Sequence, residues 1–232
     1  MQNIAVILAG GIGARVGGNT PKQLLPLQDG KSVLEHAVDA FEQSPYIHEV
    51  CIVMHPDYIM HAEQMLLANA WQKVHHIIPG GKERWESSVQ AIRAYLSTVN
   101  CQLSTVNLLL HDAARPYVSQ EIIARVCEAL EEHEAVTVAI PSTDTVYEMA
   151  DGKVARIPQR STIMRAQTPQ AFRLELIAEA YAKALGVDNL SAEAHLPATD
   201  DCGIVHEHMP HIPIHIVLGE EQNKKITFKE DI

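Results

Sequence analysis

Short apolar segments alternate with longer segments of helical periodicity through the first 140 residues, and this alternation limits the chain to few folds. In the first apolar segment β-branched side chains run directly into glycines, which is typical of a buried strand that ends in a loop. Ser32 and Glu35 have the spacing of a capping box and predict a helix start. Strands alternating with helices predict a doubly wound, mostly parallel, Rossmann-like α/β sheet. The predicted strands are 4–8, 49–54, 74–78, 106–110 and 135–140, and the predicted helices begin near 33 and cover 57–70, 84–96 and 119–132.

The alternation stops near residue 141. Two short extended stretches flank Asp151-Gly152, which is a strong signal for a tight hairpin turn. A hairpin here stands outside the strand–helix alternation, so we expect residues at about 141–165 to project as an arm. The sequence shows no repeat, low-complexity tract or linker. We therefore interpret residues 1–232 as one domain that carries this arm. The elements predicted in this region are strands at 145–149, 153–157 and 214–218 and a helix near 174–185.

The composition of the chain excludes some classes of partner. Acidic residues outnumber basic ones by 29 to 18, the formal net charge is −11, and no run of Lys or Arg forms a basic stripe. We therefore expect no nucleic-acid partner. The apolar runs are far shorter than the roughly 20 residues that span a bilayer, and the N-terminal segment lacks a cationic region, so we expect no membrane partner and no secretory signal. Four scattered cysteines without a CxxC pair fit a reduced, cytoplasmic protein.

A glycine-rich loop follows the first predicted strand. It contains Gly10, Gly11 and Gly13, and two basic residues, Arg15 and Lys22, lie in or just after it. Glycine lets backbone N–H groups approach phosphate oxygens without a Cβ in the way, and the two cations could neutralise a triphosphate. A tight strand-to-helix turn with cations on the surface is the alternative interpretation.

Two other nucleotide-binding motifs do not fit this loop. A dinucleotide-binding GxGxxG sequence needs a small residue where Val16 stands, and Met54 and His55 occupy the place of the acidic residue expected after the second strand. A Walker loop needs Gly-Lys followed by Ser or Thr, whereas Gly18 precedes an asparagine. A nicotinamide-dependent dehydrogenase is therefore disfavoured.

Polar residues also follow the third and fourth predicted strands. Asp112 lies where the carboxyl ends of parallel strands line the crevice in which open α/β sheets bind ligands. An aspartate beside a triphosphate is a natural Mg²⁺ ligand, although a pair with Arg115 that holds a loop explains it equally well. Gly81 and Ser87 follow the third strand and could contact a nucleotide, or Ser87 could simply lie on a helix surface.

Several motifs occur in a characteristic order along nearly the whole chain: LAGGIGARV, PKQ, GGKERWESS, HDAARP, DT, QTPQAF, TDD and the segment 223–227. In this order they resemble the cytidylyltransferases that act on 2-C-methyl-D-erythritol 4-phosphate and their relatives that act on ribitol 5-phosphate. The resemblance implies transfer of CMP from CTP to a polyol phosphate with release of pyrophosphate. It also implies a Mg²⁺ cofactor and a homodimer in which the arm reaches the partner subunit.

The resemblance assigns roles to particular residues. Arg15, Lys22 and Asp112 would be catalytic: the two bases would stabilise charge on the α-phosphate and the leaving pyrophosphate, and Asp112 would be the metal ligand. The residues implied in CTP binding are Ala9, Gly10, Gly11, Gly13, Gly81, Arg84 and Ser87. Those implied in binding the polyol phosphate are Arg115, Thr168 and Lys225, with Thr145 and Arg160 of the arm.

The sequence favours 2-C-methyl-D-erythritol 4-phosphate as the acceptor, which would place the protein in non-mevalonate isoprenoid biosynthesis. HDAARP matches that branch, whereas Leu8-Ala9 and Ile157-Pro158 are closer to the ribitol-phosphate enzymes, which make CDP-ribitol for cell-surface polymers. Ribitol 5-phosphate is therefore the alternative acceptor. A non-catalytic regulatory protein that binds nucleotides is a remote alternative, because the basic and acidic residues with implied roles are all present.

Overall fold

The computed structural model describes residues 1–11, 21–98, 105–186, 196 and 199–231. A seven-stranded sheet carries helices on both faces, and a two-stranded hairpin stands apart from it. The strands are β1 (Gln2–Ala9), β2 (Glu49–Met54), β3 (Val74–Pro79), β4 (Val106–Asp112), β5 (Ala135–Pro141), β6 (Glu148–Ala150), β7 (Lys153–Arg156), β8 (Met164–Arg173) and β9 (His215–Leu218). The helices are α1 (Val33–Glu42), α2 (Ile59–Asn69), α3 (Arg84–Thr98), α4 (Gln120–Glu132), α5 (Leu174–Leu185) and α6 (Asp201–His208).

The main sheet has the strand order β3-β2-β1-β4-β8-β5-β9. The first four strands in this order are parallel to one another, and β5 is parallel to β9. β8 lies between β4 and β5 and is antiparallel to both. The mostly parallel, doubly wound, Rossmann-like sheet predicted from the sequence is confirmed.

The core consists of two apolar layers, one on each face of the sheet. In β1, Ile4 and Val6 face the layer formed with α3, α5 and α6, whereas Ala5 and Ile7 face the layer formed with α1, α2 and α4. Both faces are covered, so the residues of β1 and β4 are buried at almost every position instead of alternating between buried and exposed. Within the described ranges, no helix combines the length and the apolar character needed to cross a membrane.

Two helix starts lie where their capping residues predict them. The Ser32 Oγ accepts a hydrogen bond from the Glu35 N–H at 3.2 Å, and the Glu35 carboxylate accepts one from the Ser32 N–H at 2.7 Å. Each side chain satisfies a backbone donor that the first turn of α1 leaves unpaired. At α4 the Ser119 Oγ accepts from the Ile122 N–H at 3.2 Å. Both predictions are confirmed.

The arm predicted at 141–165 contains a hairpin, as expected. β6 and β7 pair only with each other, and every residue of both strands is exposed. Asp151 and Gly152 have φ values of +50° and +72°, the left-handed conformations that a two-residue hairpin turn needs. The hairpin therefore lies outside the core of this chain.

The sequence patterns predict neither β8 nor α6. β8 carries Gln167, Thr168, Pro169 and Gln170 in its centre, and a proline argues against a central strand. These polar residues are nevertheless buried, because they bond to groups of other elements: the Gln170 Oε1 accepts from the backbone N–H of Asp201 at 3.0 Å. Partners distant in sequence thus stabilise a strand that local propensity does not favour.

Candidate active site

The carboxyl ends of β1, β2, β3 and β4 meet at one edge of the sheet. Leu8 of β1 pairs with Asp112 of β4, and Ala9 pairs with Met54 of β2. The loops that follow these strands therefore emerge close together. In open α/β sheets this is the edge at which ligands bind.

Ser87 lies between two glycine loops at this edge. It is buried, and its Oγ accepts a hydrogen bond from the Gly81 N–H at 3.2 Å. A Cβ on Gly10 would come within 2.6 Å of this oxygen, and a Cβ on Gly80 within 2.8 Å. The close approach of the loops therefore requires glycine at both positions. Ser87 lies in the wall of the site, and its contact with a nucleotide stays a prediction.

Gln23 holds the start of the first glycine loop. From the 3₁₀ turn Lys22–Leu24 its Nε2 donates to the carbonyl oxygens of Ala9 and Gly11, both at 2.7 Å. Gln23 is only 2% exposed, so its amide serves this loop. Gln23 is not predicted from the sequence as a site residue, although its place directly after Lys22 in the PKQ motif is a signal that could identify it. Gly13 and Arg15 lie outside the described residues.

A cavity of about 430 Å³, here called the larger cavity, opens between the glycine loops. Lys22, Lys82, Arg84 and Lys225 line it, so this chain of net charge −11 concentrates cations at one place. Such a local excess of positive charge favours a polyphosphate ligand. Lys82 is exposed and is not predicted from the sequence. Of the residues implied in CTP binding, those that line the larger cavity are Ala9, Gly10, Gly11, Arg84 and Ser87.

Asp112 is bonded to two cations. Its Oδ1 accepts from the Arg84 Nε at 2.8 Å, and its Oδ2 accepts from the Lys225 Nζ at 2.6 Å. Burial would raise the pKa of Asp112, but the charges of Arg84 and Lys225 outweigh it and hold that pKa well below its usual range. The sequence-based alternative of an Asp112–Arg115 pair is not what the structure contains, since Arg84 takes that place.

A second carboxylate, Asp201, lies on the far side of Arg84. It accepts from the Arg84 Nη1 at 2.6 Å and from the Tyr181 hydroxyl at 2.7 Å. Burial would lower the pKa of Arg84, but Asp201 and Asp112 together raise it well above its usual value. Neither Asp201 nor Tyr181 is predicted from the sequence as a site residue. Both side chains are fully buried, and the signal that could have identified Asp201 is its place in the TDD motif.

A second cavity, of about 180 Å³ and here called the smaller cavity, adjoins the first. Arg84, Asp112 and Lys225 line both cavities and therefore form the wall between them. The rest of the smaller cavity comes from β8, from the residues that lead into α6 and from Arg115. Thr168, Arg115 and Lys225, all implied in binding the polyol phosphate, line this smaller cavity.

A buried histidine fixes the orientation of Thr168. The Arg115 carbonyl oxygen lies 2.9 Å from the His111 Nε2 and can only accept, so the neutral ring carries its proton on Nε2. The His111 Nδ1 must then accept from the Thr168 hydroxyl at 3.1 Å, while the Thr168 Oγ1 accepts from the Asp112 N–H, also at 3.1 Å. Burial lowers the pKa of His111 to about 4, which keeps the ring in this neutral form.

The guanidinium of Arg115 bonds to backbone in this structure. Its Nη1 donates to the Asn223 carbonyl oxygen at 2.7 Å and its Nη2 to the Ala166 carbonyl oxygen at 3.2 Å. Burial lowers the pKa of Arg115. Arg115 thus ties β8 to the C-terminal segment, and its contact with a substrate stays a prediction.

The two arm residues implied in the site lie elsewhere. Thr145 and Arg160 are exposed at the base of the arm and line neither cavity of their own chain. The Arg160 Nη1 only approaches the Thr143 carbonyl oxygen, at 3.4 Å. Within the described part of one chain, these two residues are therefore separate from the site.

A cation-rich cavity between two glycine loops suits a nucleoside triphosphate, and the polar cavity behind the same wall suits a second, smaller anion. An α/β protein with this site is a nucleotidyltransferase. Residues 3–232 match the model of the IspD family, 2-C-methyl-D-erythritol 4-phosphate cytidylyltransferase, and the chain belongs to this family. The family and enzyme class predicted from the sequence are confirmed.

Relatives of the chain agree with this assignment. The 2-C-methyl-D-erythritol 4-phosphate cytidylyltransferase of Thermobifida fusca is 43% identical over 233 residues, an alignment that covers 98% of this chain and 89% of that protein. A bifunctional ribulose 5-phosphate reductase/CDP-ribitol pyrophosphorylase of Haemophilus influenzae is 35% identical over 100% of this chain but only 47% of that protein. The crystal structure of 4-diphosphocytidyl-2C-methyl-D-erythritol synthase from Anaerococcus prevotii is 26% identical, with a TM-score of 0.79 over 99% of this chain and 92% of that one.

Proposed function

We propose that the protein transfers CMP from CTP to 2-C-methyl-D-erythritol 4-phosphate and releases pyrophosphate. The observation that carries the proposal is the wall of Arg84, Asp112 and Lys225 between the two cavities. CTP in the larger cavity and the acceptor in the smaller one would meet at this wall. Its two cations would reduce the repulsion between two anions that must come into contact, which is a main task of such an enzyme.

The reaction needs no general base. A phosphate monoester has a second pKa of about 6, so an acceptor phosphate oxygen is a nucleophile at neutral pH. It forms a bond to the α-phosphorus of CTP, while the bond from that phosphorus to the bridging oxygen breaks and pyrophosphate leaves. Lys22 would stabilise the charge that develops in the larger cavity, and Lys225 would hold the acceptor phosphate. Arg15 is proposed to act with Lys22 on the sequence resemblance alone.

Asp112 is the proposed ligand of a Mg²⁺ ion. Mg²⁺ usually binds one or two carboxylates together with substrate phosphate oxygens, and no described group of three or more His, Cys, Asp or Glu side chains offers an all-protein site. A single buried carboxylate at the larger cavity fits this pattern. The ion would neutralise charge on the triphosphate when bound. Because Lys225 is bonded to the Oδ2 of Asp112, the ion and the ammonium would compete for this oxygen.

The arm is proposed to join two copies of the chain. Its surface carries apolar side chains that are exposed by 55–76% and that no described residue of the same chain covers: Tyr147, Met149, Val154 and Ile157. A second copy that covers them would explain why Thr145 and Arg160 lie away from their own site, since each arm would then complete the partner's acceptor cavity. Unpaired cysteines at Cys51, Cys127 and Cys202 support a reducing, cytoplasmic location.

A pyrophosphate-release assay tests the reaction. The four nucleoside triphosphates are each combined with 2-C-methyl-D-erythritol 4-phosphate and with ribitol 5-phosphate. We expect CTP with the first acceptor to give the highest kcat/KM, by at least about tenfold over ribitol 5-phosphate. The Haemophilus influenzae relative makes ribitol 5-phosphate the second candidate, and a preference for it would reject the proposed acceptor. No pyrophosphate release with any pair would reject the proposed function.

Sedimentation tests the role of the arm. Replacement of residues 145–157 by a short Gly-Ser turn removes the exposed apolar surface and leaves the main sheet intact. We expect this variant to be a folded monomer that still binds CTP. A variant that sediments as a dimer would contradict assembly through the arm.

A further inference from the structure

Asp201 lies behind the active site without lining it. Its side chain is fully buried at the start of α6, and neither cavity includes it among its lining residues. Any effect of Asp201 on a substrate must therefore pass through another residue. Arg84 is the residue that both bonds to Asp201 and lines both cavities.

Three elements hold the Asp201 carboxylate in one place. Tyr181 of α5 donates to its Oδ1 at 2.7 Å, and burial, with the nearby Asp201, raises the pKa of Tyr181, so its hydroxyl keeps the proton that it donates. The Asp201 backbone N–H donates to Gln170 of β8 at 3.0 Å. The remaining oxygen, Oδ2, accepts from the Arg84 Nη1 at 2.6 Å. Asp201 is thus a fixed anchor for one end of the guanidinium.

This anchor fixes the orientation of the Arg84 guanidinium. Arg84 donates from Nε to the Oδ1 of Asp112 and from Nη1 to Asp201, so two carboxylates hold the planar group from different sides. Its Nη2 is buried and has no hydrogen-bond partner among the described residues, and the Oδ2 of Asp112 bonds to Lys225. The two bonds from Nε and Nη1 therefore set the place of Arg84 in the wall between the cavities.

We propose that Asp201 is a positioning residue that holds the Arg84 guanidinium in the orientation in which its Nε bonds to Asp112 and the other oxygen of Asp112 is left to Lys225. Without the bond to Nη1 the guanidinium would turn about its bond to Asp112, and Arg84 and Lys225 would no longer be fixed in the wall between the cavities. The inference rests on the proposed function, because it assigns to Arg84 and Lys225 the contacts with the two substrates.

A double-mutant cycle between Asp201 and Arg84 tests the inference. Asp201→Asn keeps the shape of the side chain and removes its charge, and we expect kcat to fall about 10- to 100-fold with the KM for CTP nearly unchanged. Lysine has one ammonium group and no planar guanidinium that Asp201 could orient. In an Arg84→Lys background, Asp201→Asn should therefore lower kcat by no more than about threefold further. Equal losses in both backgrounds would mean that Asp201 acts independently of Arg84 and would overturn the proposal.

A second pair of variants separates positioning from stability. Tyr181→Phe removes one bond that orients Asp201 and leaves all charges in place. The matched control is Tyr95→Phe, since Tyr95 is an equally buried tyrosine at the far end of α3 that donates to Glu49 at 2.6 Å. We expect similar small losses in the unfolding temperature, but a loss of kcat of about three- to tenfold only for Tyr181→Phe.

The outcomes distinguish this inference from the proposed function. An inactive wild-type protein in the pyrophosphate assay rejects the function. An active wild type with unchanged kcat in both Asp201→Asn and Tyr181→Phe rejects the inference alone. If Asp201→Asn does not fold, the comparison of Tyr181→Phe with Tyr95→Phe tests the inference. Equal kcat values for these two variants would then reject the inference.

Discussion

The two cavities are assembled in different ways. The larger cavity is built mainly from residues that lie within a few positions of the ends of β1, β3 and β4, as Gly10, Lys82 and Asp112 do. The smaller cavity is built from β8, which follows β5 in the chain but lies between β4 and β5 in the sheet, and from Thr199 and Asp200 before α6. Recognition of phosphates can therefore be a local property of strand ends, whereas the acceptor site depends on long-range packing. The wall of Arg84, Asp112 and Lys225 joins the two.

The largest effect is expected from Asp112→Asn, because it removes the charge that both cavities share. Lys225 would then lose its carboxylate partner, and Arg84 would keep only Asp201, so neither cation would be held in the wall by Asp112. We expect kcat/KM for both substrates to fall by about 10³-fold or more. Higher Mg²⁺ concentrations should restore part of the activity. Steady-state kinetics over a series of Mg²⁺ concentrations checks this, with thermal unfolding to confirm folded protein. A fall of kcat/KM for only one of the two substrates would show that the wall does not serve both cavities.

Lys22→Ala should affect the larger cavity alone. Its ammonium bonds to the Ile226 carbonyl oxygen at 2.8 Å, which fixes the charge beside the glycine loop. Loss of one such charge-stabilising donor typically lowers kcat by about 10²- to 10³-fold, and the KM for the acceptor should stay unchanged. Lys82→Ala is the matched control, since this exposed lysine lines the same cavity, and a loss of less than about tenfold is expected there. Equal losses of kcat in Lys22→Ala and Lys82→Ala would show that activity depends only on the number of cations in the larger cavity.

The neutral His111 behind the smaller cavity predicts a pH-dependent stability. Its pKa is about 4 in the folded protein against 6.5 for an ordinary histidine. Between these values the unfolded chain binds a proton that the folded chain does not, so stability falls as the pH is lowered. The loss from this group at pH 5 is about 2 kcal/mol relative to pH 7. Urea unfolding of the wild type and of His111→Gln at both pH values measures it, and the same loss in the variant would assign the effect to other groups.

Thr168→Val should give the smallest effect and confine it to the smaller cavity. Valine has nearly the shape of threonine but cannot bond to His111 or accept from the Asp112 N–H. Leaving these groups unpaired should lower kcat/KM for the acceptor by about tenfold, with the KM for CTP unchanged. Thr227→Val in the larger cavity is the control and should leave the acceptor kinetics alone. A shift in the KM for CTP would show that the wall transmits changes between the cavities.

The sequence predicts the elements whose signals are local. The buried strands β1 to β5, the caps Ser32 and Ser119 and the hairpin turn at Asp151 each depend on a few neighbouring residues, and all are found. The glycine loop and Asp112 are recognised for the same reason, because each follows a strand directly.

The missed features depend on partners far apart in the chain. Arg84 and Asp201 are separated by 117 residues, and neither alone indicates that it bonds to the other. Gln170 looks like a surface residue in the sequence but is 1% exposed and holds the start of α6. Buried polar residues are satisfied by tertiary contacts, and no periodic pattern shows which contacts these are.

The position of β8, central in the sheet but after β4 and β5 in the chain, has a consequence during protein synthesis. Among the described strands, β5 pairs only with β8 and β9, both of which the ribosome makes afterwards. A nascent chain that ends near residue 160 thus has one sheet fragment, β3-β2-β1-β4, with an unpaired edge along β4, and a single unpaired strand, β5, which is almost wholly apolar. Unpaired apolar edges of this kind are where intermediates aggregate. The time between synthesis of β5 and β8 is therefore the interval in which this chain most needs protection by chaperones.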